Sequence, residues 1–184
     1  MAFATNFDKY LKKGLDKKAP QFDWTRGWSA ERQRWKVDVA GHPTNGGPLV
    51  LIEVELKKDN PVENVVKIWR WAKEEKKSQR ILFLQAFSSL YLKPKQNAHK
   101  AKKQKQYVRS CFIGERMMSD RSSGLHIDYA WLPIRTTTHA GRLIPFTPLM
   151  RRGTVVKEGG GAMHRAAEIL ARKIAKLVKT KAHR

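Results

Sequence analysis

Leu49-Val50-Leu51-Ile52-Glu53-Val54-Glu55-Leu56-Lys57 alternates with a period of two. Val50, Ile52, Val54 and Leu56 fall on one side and Glu53, Glu55 and Lys57 on the other, which is the pattern of a β-strand. An apolar run leads directly into the charges, so they stand at the end of a buried strand, where a charge costs free energy unless it is paired or bound to metal. Upstream, Trp35-Lys36-Val37-Asp38-Val39 alternates in the same way and carries a further carboxylate. The turn-rich segment Gly41-His42-Pro43-Thr44-Asn45-Gly46-Gly47-Pro48 joins the two runs as a hairpin would. Pairing of the runs brings Asp38, Glu53, Glu55 and Lys57 to one small area, and three acids with a lysine can bind a divalent metal and activate a water.

Outside this hairpin, Phe3, Phe7, Tyr10, Leu11 and Leu15 recur at three-to-four spacing and predict a short amphipathic helix, which Ala19-Pro20 ends. Residues 21–34, with Phe22, Trp24 and Trp28, read as a strand or loop leading into the Asp38 strand. After Lys57, Asn60-Pro61-Val62-Glu63 has the form of a capping box, and a helix is expected from Pro61 to about Lys76. On it Val62, Val65, Val66, Trp69 and Ala72 are expected to face inward, with Asn64, Lys67, Arg70 and Trp71 elsewhere. Ile81 to Phe87 is a continuous apolar run of strand length, as in a central buried strand. Lys93 to Arg109 is basic and without an acid, a loop or exposed helix start that becomes more helical from Gln106. A strand over His126–Leu132, a hinge at Gly159-Gly160-Gly161 and a basic closing helix over Ala162–Lys179 complete the reading. The order strand, strand, helix, strand predicts an α/β fold, a mixed central β-sheet flanked by helices. Residues 1–158 form that domain, and 159–184 form a linker and a basic C-terminal helix packed on it.

The chain has 184 residues with 38 Lys and Arg against 16 Asp and Glu, a formal net charge of +22. Such an excess raises self-repulsion unless a polyanion binds, so nucleic acid is the expected partner. Lys95, Lys100, Lys102, Lys103 and Lys105, and in the closing helix Arg165, Arg172, Lys173 and Lys176, are the residues expected to meet phosphates. Contacts of this kind position a backbone and leave its sequence unread. The single cysteine, Cys111, excludes an intramolecular disulfide and a cysteine-rich zinc site, in keeping with a reducing compartment. No signal peptide and no apolar run near the length of a membrane span is found, so an intracellular protein, cytoplasmic or nucleoid-associated and away from membranes, is expected.

Asp38, a turn-rich gap, and Glu55-Leu56-Lys57 within a hydrophobic strand resemble the restriction-endonuclease-like, or PD-(D/E)xK, nuclease superfamily. The resemblance covers residues 30–90. It implies a restriction-endonuclease-like core and hydrolysis of DNA, in preference to RNA, by a Mg²⁺-dependent endonuclease, with Mn²⁺ as a substitute. Asp38 and Glu55 would be the metal ligands, with the Leu56 carbonyl as a further donor, and Lys57 would assist water attack. Val37 stands where the motif's name has Pro, and Glu53 opens a shifted register in which Glu53 and Glu55 take the Glu and Lys places. Members often carry an upstream acid that helps bind metal; Glu31 is the candidate, only seven residues before Asp38. Many nucleases cut both strands as dimers, so a homodimer is open.

A Glu-x-Glu-x-Lys face can equally be cross-strand charge pairing, and the same net charge suits a non-catalytic nucleic-acid-binding or packaging protein, on DNA or structured RNA. His126 and Asp128 share a strand face and read as solvated rather than metal-binding. The three glycines before the closing helix lack the Lys-Ser/Thr ending of a phosphate-binding loop.

Overall fold

The computed structural model describes residues 4–29, 35–57, 60–75, 79–92, 98–120, 124–138, 140–148, 150–151, 154–155 and 161–182. Helix α1 (Ala4–Lys18) leads into an antiparallel meander of β1 (Phe22–Ser29), β2 (Lys36–Pro43) and β3 (Leu49–Glu55). Helix α2 (Val62–Glu74) then crosses to β4 (Ile81–Phe87), parallel to β3. The short α3 (Ser89–Leu92) and the long α4 (Ala98–Ser119) lead to β5 (Ile127–Pro133), parallel to β4. The five strands lie in the order β1-β2-β3-β4-β5, a mixed sheet. Two small hairpins follow, β6 (Arg135–Thr137) with β7 (Leu143–Pro145) and β8 (Met150–Arg151) with β9 (Thr154–Val155), before α5 (Gly161–Ala182).

Helices cover both faces of the sheet. On one, Phe7, Leu11 and Leu15 of α1 and Met163, Leu170, Ile174 and Val178 of α5 pack with Val50 and Ile52 of β3 and Leu82 and Leu84 of β4. On the other, Val65, Ile68 and Trp71 of α2 and Met117 of α4 pack with Leu49 and Leu51 of β3, Phe83 of β4 and Tyr129 of β5. Every residue of β4 is buried, as expected of a parallel strand covered on both sides. A fully buried side chain of this kind contributes about 1.5–3 kcal/mol, so the two apolar layers hold the sheet against helices on each side.

The local details depart from the sequence reading in ways that matter for the site. The inward stripe of α2 is Asn64, Val65, Ile68, Trp71 and Ala72, whereas Val66 is 46% exposed. The helix is therefore turned so that Asn64 and Lys67, expected to lie elsewhere, face β3 and meet its acids. Pro61 occupies the N-cap without a side-chain cap bond; Asn60 Nδ2 instead donates to Glu63 Oε1 at 2.9 Å. The basic segment is helical from Ala98, earlier than Gln106, and Gly161 is already the first residue of α5. The chain turns at the end of β3, where Leu56 N donates to the carbonyl of Val54 at 3.1 Å. Lys57 consequently leaves the strand and is exposed instead of continuing the Glu53–Glu55 face. Among the described residues, no helix is long and apolar enough to cross a membrane.

Candidate functional site

The site begins at an irregularity in β2. Val37 and Val39 belong to opposite apolar layers although two residues of a regular strand share a face. The break falls at Asp38. Opposite it in β1 stands Gly27 at φ 57°, between the registered pairs Arg26↔Val39 and Trp28↔Val37. That left-handed conformation is open to glycine and strained for other residues, and the register resumes beyond it without an inserted residue. On the other side, the β2–β3 register ends at Val39↔Ile52. Beyond it the Asp38 carboxylate takes over, with Oδ2 accepting the backbone N–H of Val54 at 2.7 Å. Asp38 thus sits where the two strands part.

Glu53 and Glu55 share the strand face of Leu49 and Leu51 and so face α2. Both are buried, at 4% and 0% exposure. Lys67 of α2 donates to Glu53 Oε1, to the carbonyl of Lys36 and, at 3.1 Å, to Asn64 Oδ1. One ammonium therefore ties β2, β3 and α2 together. Glu55 is held by neutral donors: Asn64 Nδ2 at 2.7 Å and Gln85 Nε2 at 3.1 Å, both to Oε1. The Gln85 amide is fixed in turn. Its Nε2 also donates to the carbonyl of Pro61 at 3.0 Å, while Oε1 accepts Ser110 Oγ at 2.7 Å and Tyr129 OH at 2.9 Å. Burial, and then Cys111, raise the Tyr129 phenol, which keeps it a donor. Gly114 permits this arrangement, because a Cβ there would run into the Tyr129 ring.

A further acid, absent from the sequence reading, comes from α1. Asp8 is 6% exposed and its Oδ1 has no hydrogen-bond partner among the described residues. Burial first, and then the Asp38 carboxylate, push Asp8 up to about 9; Arg26 pulls it down and Glu53 adds to the rise. Burial followed by Asp38 likewise pushes Glu53 up to about 8, against the pull of Lys67. Asp8 and Glu53 therefore both feel the Asp38 carboxylate, and Asp8 feels Glu53 as well. A signal for Asp8 existed in the sequence: it lies at position 8 of a helix whose inner stripe continues at Leu11 and Leu15, and an acid on an apolar stripe needs a partner.

The other predicted residues are placed as follows. Lys103 is 3% exposed, with Nζ donating to the carbonyl of Lys57 at 2.9 Å and lying 5.5 Å from the Tyr91 ring centroid. It is committed to holding the turn after β3 rather than to a phosphate at the surface. The Leu56 carbonyl accepts Ser88 Oγ at 2.9 Å. Lys102, Lys105, Arg165, Arg172 and Lys176 are exposed and Lys173 is half-buried, its amine lowered by burial and then by Arg135. Lys100 lies in α4, whereas Glu31 and Lys95 lie outside the described residues. Asp128 is paired with Arg80 at 3.1 Å and His126 is exposed, in keeping with a solvated strand face.

Buried carboxylate oxygens of raised proton affinity suit a hard divalent cation. The unpartnered Asp8 Oδ1 and the raised proton affinities of Asp8 and Glu53 are what such a cation would relieve. Among the described residues, no three acids, histidines or cysteines gather closely enough to enclose an ion by themselves. Mg²⁺ does not require that: it is commonly held by one or two carboxylates and keeps several waters. The donor set fits the ion on those terms.

A groove of about 540 Å³ is lined by Trp35, Val62, Asn64, Val66, Lys67 and Arg70 among others, and Asn64 and Lys67 connect it to Glu55 and Glu53. Lys67 belongs both to this groove and to the Glu53 pair. No protein family, curated protein or solved structure matches the chain.

Proposed function

We propose that this protein is a divalent-cation-dependent nuclease that hydrolyses DNA phosphodiester bonds at Asp8, Asp38 and Glu53, on a restriction-endonuclease-like core. The observation that carries the reading is the pair of buried acids, Asp8 and Glu53, whose proton affinity is raised by burial and then by Asp38 where β2 and β3 part, in a chain of net charge +22. Such a rise in proton affinity on both Asp8 and Glu53 is a feature that clusters at functional sites.

Asp38 and Glu53, with Asp8 behind them, would hold Mg²⁺, or Mn²⁺ in its place. Bound there, the ion supplies charge neutralisation at the phosphate and a water of lowered pKa. The chain's own residues do the rest. Lys67 orients Glu53 and places a fixed positive charge where the phosphate gains negative charge. Asn64 and Gln85 fix Glu55 in a dry setting, and the Val54 N–H fixes one oxygen of Asp38. Of the two registers, Glu53–Glu55 is favoured over Glu55–Lys57. Glu53 is raised by Asp38 after burial and carries a lysine partner, whereas Lys57 is exposed beyond the end of the strand. In this register Lys67 of α2 provides the ammonium that the Glu-x-Lys pattern would have provided from β3.

The test is relaxation of supercoiled plasmid in Mg²⁺, in Mn²⁺ and in EDTA, by wild type and by Asp38→Asn. Cation-dependent nicking by wild type and its loss in a folded Asp38→Asn variant is the result expected. Salt-dependent binding that ignores both the cation and the substitution would leave a nucleic-acid-packaging protein in place of a nuclease.

A further inference from the structure

The groove that Asn64 and Lys67 connect to the acids has a composition that a duplex backbone alone does not call for. Trp35 contributes a partly exposed indole, and Val62 and Val66 contribute apolar surface on the same groove, Val66 being 46% exposed. Arg70, 64% exposed, donates from Nε to Glu74 on its own helix at 2.5 Å, and its guanidinium carbon lies 5.8 Å from the Trp35 ring centroid. Lys67 is the inner member of the lining and reaches Glu53. Glu63 is an acid in the lining and is engaged by Asn60. An aromatic face, an apolar wall and a guanidinium beside a hydrolytic site suit a nucleobase together with the phosphate next to it. Stacking on aromatic rings and arginine planes is how unpaired bases are held, and a paired base in a duplex cannot present its face. At about 540 Å³ the groove has room for one nucleotide.

We propose that this groove seats one unpaired nucleotide of a DNA strand adjacent to the phosphate that is cut, its base against Trp35, Val62 and Val66 and its phosphate against Arg70. The substrate class is then duplex DNA interrupted by a single-stranded segment, such as a flap or a branch, rather than uninterrupted duplex. This assignment rests on the nuclease reading for its meaning, but binding tests it independently of cleavage.

Fluorescence anisotropy in EDTA compares a blunt labelled duplex, the same duplex with a short single-stranded flap, and that flap built from abasic nucleotides. Wild type should bind the flap about tenfold more tightly than either other ligand. Trp35→Leu should lose that preference, Trp35→Phe should keep most of it, and Arg70→Ala should weaken flap binding while leaving blunt-duplex binding within about twofold. Equal binding of the normal and abasic flaps by wild type, or an intact preference in folded Trp35→Leu, overturns the proposal. The abasic comparison uses wild type alone, so it decides the matter even if Trp35→Leu does not fold. Preference for a flap without cleavage of any DNA in Mg²⁺ or Mn²⁺ would reject the nuclease reading and leave the groove assignment standing. Cleavage without the preference would do the reverse. A flap of RNA bound more tightly than one of DNA would overturn the choice of strand.

Discussion

Replacing Asp8 by asparagine should make the protein more stable at neutral pH while weakening its response to divalent cations. Asp8 is raised by burial and by Asp38 from 3.8 to about 9. The unfolded chain gives up this proton near pH 4, and the folded chain keeps it until about pH 9. Between those values the folded state holds the extra proton, so the stability this group allows is complete below about pH 4 and is lost as pH rises. The loss is about 1.4 kcal/mol per pH unit, or about 4 kcal/mol between pH 4 and pH 7. Its interaction with the neighbouring Glu53, whose own proton affinity is raised, reduces what one substitution recovers to about 2–3 kcal/mol. Asparagine has nearly the same shape and no charge to lose, so it recovers that amount. In a domain of 184 residues this corresponds to a rise in Tm of about 5–10 °C at pH 7.5 in EDTA. Near pH 4 the two proteins should melt together. Adding Mg²⁺ should raise the Tm of wild type more than that of Asp8→Asn. Thermal melts at both pH values check all of this. An unchanged or lower Tm for the variant at pH 7.5, or an equal gain at both pH values, would refute the reasoning.

Three other outcomes follow from the same geometry. Because Asp8 and Glu53 hold protons up to about 9 and 8, a cation must displace them, so apparent Mg²⁺ affinity should climb as pH rises from 6 to 9, with protons released on binding; calorimetry in buffers of different ionisation enthalpy measures both. Lys67→Ala should lower the cleavage rate about 10²–10³-fold, as loss of a fixed charge at the reacting phosphate does, while Lys57→Ala should change it less than about threefold; single-turnover rates separate the two lysines. Gln85→Leu should cost about 3–4 kcal/mol, read by denaturant unfolding, because it strips partners from Glu55, Pro61, Ser110 and Tyr129 in a fully buried setting.

The succession strand, strand, helix, strand was legible because period-two alternation in Leu49–Glu55 and the apolar run Ile81–Phe87 are direct consequences of burial on one face or two, whereas residues 21–34 read equally as strand or loop. The facing of α2 was not. Apolar residues lie on more than one side of that helix, and the polar Asn64 and Lys67 look outward-facing until the acids beneath them are known. Asp8 was hidden for a related reason: its partners are about 30 and 45 residues away in sequence, so nothing local marks it except its place on an apolar stripe. Lys57 was over-read, because alternation continues through it while the chain itself turns at Leu56. Lys103 was one of several lysines in a basic run, and only tertiary packing distinguishes the buried one from its exposed neighbours.

The central claim is that Asp38 and Glu53, at the parting of β2 and β3, form the cutting centre. Its most direct test is the single-turnover rate of plasmid nicking in Mg²⁺ by Glu53→Gln, a near-isosteric change that keeps the side-chain oxygen facing Lys67. A fall of at least about 10³-fold in a protein that melts no lower than wild type is the predicted result, as for loss of a metal-holding carboxylate. Nicking by Glu53→Gln at the wild-type rate would contradict the account.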